Sequence, residues 1–220
     1  MSQIKRMQAF EALELLAEFT EKNLTIALFL SKSQQDWSTP DKVLIETVQP
    51  CFQKALTAFL RILTMELKHG EPAISQEIQA KLQQGVSIEV VLCDNAYIQA
   101  RNSQYRQKNS PTDVLTFHTQ SVFPTETGFP AIPDLLDIPL ASILISLEFA
   151  ANATKKQTEQ KFTTIQYLTE RFVHGLLHSF EIHHDTTPSF EQVIGIQQAV
   201  LESVFPDATL CSPLGTNERS

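Results

Sequence analysis

Three short apolar runs, VSIEVVLC (86–93), TDVLTFH (112–118) and LASILISL (140–147), limit what this chain can become. Each is too short to stand as a helix, and all carry Val, Ile or Thr, so each reads as a strand. Helical patterning follows at 95–105, from the end of the third run through Ala153, over about 160–180 and over about 189–204. Upstream, LTIALFLS (24–31) reads as a further strand. A helix is expected over 41–68, entered through Ser38, Thr39 and Pro40, broken near Pro50 and stopped by Gly70 and Pro72. A shorter one over 73–84 stops at Gly85. Strands alternating with helices predict a layered α/β (α+β) domain, a small mixed sheet covered by helices.

At the N-terminus, Ile4, Met7, Phe10, Leu13, Leu16 and Ala17 recur at helical spacing with Glu11, Glu14 and Glu18 between them. That pattern predicts an amphipathic helix over 4–20. The chain then divides into an N-terminal helical extension (1–21), one main domain (22–205) and a mobile tail (206–220). Residues 32–40 are a polar loop. Residues 119–139 hold Pro124, Gly128, Pro130, Pro133 and Pro139, and read as another.

Charge narrows the function. Over 220 residues, 17 Lys and Arg stand against 25 Asp and Glu, a formal charge of −8. A protein that coats nucleic acid is basic, so any nucleic-acid contact here is local, and no DNA partner is expected. Cys51, Cys93 and Cys211 are odd in number and far apart, neither a C-x-x-C pair nor a disulfide framework. They suit a reducing cytoplasm. The apolar run from Leu24 to Leu30 is too short to span a bilayer, and the first ten residues lack a leader layout.

The histidines carry the chemistry. Four of the six lie in HGLLHSFEIHH, His174 to His184. His174 and His178 are four apart in a helical segment, which sets both imidazoles on one face about 5–6 Å apart at Cβ. Such a pair alone is often a surface coincidence, but the clustering makes a metal site the stronger reading. His184 follows a potential turn and can close the set, with His183 as its competitor. Three nitrogens leave one tetrahedral position for water, the pattern of catalytic zinc. Zinc proteases of the H-E-x-x-H type use the Glu as general base. Gly175 occupies that place here, which lowers the prior on peptide hydrolysis. A glycine inside a helix costs stability, so it also hints at a close approach.

The segment His174–His178 followed by His184 resembles the H-G-x-L-H-L-x-G-Y-D-H motif of the YbeY endoribonucleases. A second block agrees: NSQYRQKNSPTDVLTF (102–117) resembles that family's stretch of Asn, Arg and T-D-V-L-S-F. The resemblance spans roughly 22–205. It implies one Zn2+ on His174, His178 and His184, and single-strand-specific cleavage of RNA. It also implies maturation of the 3′ end of small-subunit ribosomal RNA, ribosome quality control, and the ribosome or its small subunit as partner. It places Arg106 toward the metal cleft, where a guanidinium can clamp a phosphate. Thr112 and Asp113 read as support for the strand.

Several positions depart from the pattern. Glu181 replaces a glycine, Ser179 and Ile182 replace Leu and an aromatic, and His183 replaces an Asp. His118 stands where the family has Pro. A family Gly-Asp becomes Ala141-Ser142, or is displaced to Asp137. These changes keep two other readings open: a ribosome-associated RNA-binding protein with weakened catalysis, and a metal hydrolase of another substrate.

Overall fold

The computed structural model describes residues 13–31, 42–69, 76–118, 139–156, 162–182 and 187–206. Its frame is a mixed sheet. β3 (Val86–Cys93) lies at the centre between parallel neighbours β2 (Leu24–Ser31) and β5 (Ala141–Ser146), while β1 (Leu13–Glu21) and β4 (Val114–His118) form antiparallel edges. β3 and β5 are buried on both faces, which is why their sequences are almost continuously apolar. Across the sheet Leu28, Val90, Ile143 and Thr116 stand in one row.

The helices divide between the two faces. α1 (Lys42–His69), α4 (Leu147–Lys156), α5 (Thr164–Ser179) and α6 (Thr187–Val204) share the larger core with Ile88, Val90, Leu92, Ile143 and Ile145. α3 (Asn95–Arg106) covers the other face, where Ile98 packs among Val91, Cys93, Leu115 and Leu144. α2 (Gln76–Gln84) leads through Gly85 into β3. Aromatic rings join α1 to α5: Phe52 stacks on Phe172 at 4.2 Å between centroids, and Phe59 meets Phe180 at 5.5 Å. A phenylalanine buried this fully contributes about 1.5–3 kcal/mol.

Two expectations need correction. Residues 13–20 are not helical: β1 pairs with β2 from Leu13↔Ser31 to Glu21↔Leu24 around a turn at Lys22 and Asn23. Leu, Ala and Glu favour helix in isolation, but a neighbouring strand offers hydrogen bonds and burial of Phe19, and that tertiary partner overrides propensity. The expected boundary at residue 22 thus falls inside a hairpin. Nor does Pro50 break α1. It lies on the exposed side, opposite the stripe of Val48, Phe52, Ala55, Leu56, Phe59 and Leu63. On that exposed side the loss of one ladder hydrogen bond is tolerated without a break in the helix.

Strands 24–31 and 86–93, and the helices expected near 95–105, 160–180 and 189–204, match within a few residues. The first twelve residues, the loops 32–40 and 119–138, and the tail beyond Pro206 lie outside the described residues. Among the described residues no helix is long and apolar enough to cross a membrane.

Candidate metal centre

α5 begins with a capping box: the Thr163 hydroxyl accepts from Gln166 N, and the Gln166 side chain accepts from Thr163 N. The helix is buried along most of its length, because it runs between the sheet on one side and α1 and α6 on the other. His174 is buried and His178 is partly buried. Their Nε2 atoms are 2.9 Å apart and their rings meet edge-on at 4.5 Å between centroids. Two nitrogens held tetrahedrally at zinc bonds of about 2.0–2.1 Å lie roughly 3.3 Å apart. The pair therefore fits one zinc ion with a shift of a few tenths of an ångström. His183, His184 and Asp185 lie outside the described residues. Among the described residues, no group of three His, Cys, Asp or Glu side chains converges.

Two local features set where the pair sits. A Cβ built on Gly175 would lie 2.6 Å from Ile143 Cγ2, so the helix rests on β5 with no room for a side chain. The close approach hinted at by glycine in a helix is thus present. After Ser179 the chain closes a Schellman turn: Ile182 N donates to Leu177 O at 3.0 Å and Glu181 N to His178 O at 2.9 Å. Glu181 takes φ +60° to do so. A glycine adopts that conformation freely and a glutamate is strained in it.

His118 enters the site unforeseen. It ends β4, and its Nε2 lies 3.0 Å from the His178 carbonyl, to which it can donate. The residue stands on an edge strand facing the last turn of α5, a long-range contact that no local pattern announces.

A buried polar chain supports the pair. His174 Nδ1 is 3.3 Å from Gln197 Oε1 on α6, and Gln197 Nε2 donates to Glu170 Oε1 at 3.4 Å. Arg171 donates to Glu170 and pairs with Asp113, each at 3.0 Å. Tyr167 also donates to Asp113 at 3.0 Å. Asp113 meanwhile accepts from Val114 N and Thr112, which pins the start of β4. Burial works to raise the Asp113 pKa, but Arg171 and the hydrogen bonds from Tyr167, Val114 and Thr112 outweigh it and hold the carboxyl below its usual range. Burial and the Asp113 charge push Tyr167 up. For Arg171 burial works downward, yet Glu170 and Asp113 prevail and keep it firmly cationic. The sequence clue was there: Glu170 and Arg171 are the two charged residues among the Asp, Glu, Lys and Arg types in an otherwise uncharged run from Phe162 to Phe180.

The other sequence candidates are placed as follows. Arg106 is the last residue of α3, exposed, just before Gln107 at φ +59°. Asn102 Nδ2 bonds Ser110 O at 2.8 Å and so fastens the loop that follows. Among the described residues, no hydrogen bond or ion pair joins Arg106 to the histidines. Ser142 turns to Glu89 of the next strand at 2.9 Å. Ser179 donates to Gly175 O at 2.8 Å, within its own helix.

Fold and site together define an α+β protein whose main helix presents a paired imidazole donor set beside the edge strand of a mixed sheet. Comparison with known proteins gives that class a family. The family profile described as endoribonuclease YbeY matches residues 61–204, and the chain belongs to that family. Proteins called endoribonuclease YbeY from Sulfurovum sp. and Carboxydothermus hydrogenoformans are 35 % and 38 % identical to it over 99 and 106 residues. These alignments span 45 % and 48 % of this chain, but only 60 % and 63 % of those relatives' own length. The relative from Allorhizobium ampelinum is 31 % identical over 138 residues, 63 % of this chain and 76 % of that one.

Proposed function

We propose that this chain is a zinc-dependent endoribonuclease that cuts single-stranded RNA in the maturation of ribosomal RNA, at the 3′ end of the small-subunit species, and in ribosome quality control. The observation that carries the reading is the 2.9 Å approach of His174 Nε2 and His178 Nε2, within the segment matched to the family. His184, two residues beyond Ile182 in sequence, is the proposed third ligand. Zinc bound there would supply a water acidified toward neutral pH.

This chain's own residues do the rest. His174 is itself buried, which limits water at its ring and strengthens polar contacts there. Arg106 is proposed to hold a substrate phosphate. The partners proposed are single-stranded ribosomal RNA and the small subunit. Cys51 and Cys93 are free thiols, in keeping with a cytoplasmic place of work. Retention of the turn at Glu181, despite the lost glycine, favours a working site over a weakened one.

The test is direct. Purified protein should carry about one zinc per chain by elemental analysis and cut labelled single-stranded RNA, with duplex RNA spared. His178→Ala should lose zinc and cleavage together. Full cleavage by metal-free His178→Ala would overturn the proposal, and zinc-loaded protein that binds RNA but leaves it intact would favour a binding role instead.

A further inference from the structure

We infer that Gln197 is a positioning residue for the metal, and that a chain of forced donors and acceptors running from Arg171 through Glu170 and Gln197 keeps the hydrogen of His174 on Nδ1 and off Nε2. The inference rests on the zinc reading above.

The logic starts at Arg171. A guanidinium only donates, and it is charged at any ordinary pH. Its Nη2 lies 3.0 Å from Glu170 Oε2, and Glu170 is 1 % exposed, so Glu170 is held as a carboxylate that only accepts. The group facing Glu170 Oε1 must then be a donor, which assigns Gln197 Nε2 to that side at 3.4 Å. The opposite orientation would set the amide oxygen against the carboxylate oxygen, two acceptors with no hydrogen between them. Gln197 Oε1 is thereby turned to His174 Nδ1 at 3.3 Å. An amide oxygen only accepts, so Nδ1 carries the ring hydrogen and Nε2 keeps its lone pair.

This tautomer is the one a metal needs at Nε2. The protein has fixed it before any ion arrives, with groups on two helices and none at the surface: Gln197 is 2 % exposed and Arg171 3 %. The chain continues to Asp113 of the β4 entry at 3.0 Å. The orientation of one ligand is therefore fastened to α6 and to the sheet edge together. Outer partners of this kind are worth about 10–100-fold in metal affinity.

Two measurements test it on the full chain. Nitrogen NMR of zinc-free protein should show His174 hydrogenated at Nδ1, and Gln197→Met should erase that preference. Zinc affinity, from competition with a chelator, should fall about 10–100-fold in Gln197→Met with the melting profile retained. The paired exchange Glu170→Gln with Gln197→Glu keeps an acceptor against Nδ1 and should bind zinc within about threefold of the parent, well short of that loss. The inference is overturned if His174 of the parent carries its hydrogen on Nε2. It is equally overturned if Gln197→Met binds zinc as tightly as the parent, or if the paired exchange loses as much affinity as Gln197→Met. In those cases the zinc reading stands, because the parent still binds the metal. A parent that takes up no zinc overturns both.

Discussion

Gly175 of α5 lies against Ile143 of β5 so closely that a methyl group on its Cα would meet Ile143 Cγ2 at 2.6 Å. Ile143 is fully buried and β-branched, so its Cγ2 has little freedom to yield. Overpacking of this kind costs about 1–3 kcal/mol, against roughly 1 kcal/mol gained in helix propensity. Gly175→Ala should therefore lower stability, by up to about 2 kcal/mol in urea unfolding. In an Ile143→Ala background, which opens the space, the same change should be neutral or raise stability by up to about 1 kcal/mol.

Asp113 gives a pH signature. Its carboxyl is held below the usual range in the fold, whereas in the unfolded chain it titrates near 3.9. Its contribution is then complete above about pH 4–5 and is lost as pH falls through the folded value. Asp113→Asn leaves the buried Arg171 with Glu170 alone, and removing one partner of a buried pair costs about 3–5 kcal/mol. Because Asp113 is 20 % exposed, the lower end applies at pH 7. The gap between the parent and Asp113→Asn should narrow as unfolding is measured from pH 5 down to pH 3.

Glu181 holds φ +60° at the end of α5. Left-handed backbone costs a non-glycine residue about 1–2 kcal/mol, and glycine returns part of that in unfolded-chain entropy. Glu181→Gly should raise stability by up to about 1 kcal/mol without loss of zinc. Glu181→Val, which crowds the same backbone with a branched side chain, should lower it.

His118 donates to the His178 carbonyl, which also accepts from Glu181 N. Removing one such bond costs about 0.5–1.5 kcal/mol. His118→Ala should lose that much stability and loosen the last turn of α5. Zinc affinity should fall less than in Gln197→Met, since His118 touches backbone and Gln197 touches the ring of His174, the proposed ligand.

Zinc itself should stabilise the fold. A ligand at a hundred times its Kd adds about 2.7 kcal/mol. Saturating zinc should raise the melting temperature of the parent, chelation should reverse the rise, and His178→Ala should show neither shift.

Most of the elements could be read from the chain, because β2, β3, β5 and the long helices have clear apolar patterns, with a sharp stop before β3 at Gly85. The histidine pair was legible for a similar reason: four residues apart on a helix is a local geometry, fixed before any tertiary contact forms. Even the turn at Glu181 was marked by the missing glycine. Other features depended on partners distant in sequence. β1 reads as a helix until β2 is laid beside it. His118 lies sixty residues before His178. Gln197, Glu170, Arg171 and Asp113 come together only when α6 and β4 close on α5. Periodicity determines which face of an element is apolar, but what a buried polar group will meet there is decided by the packing of elements that are remote along the chain.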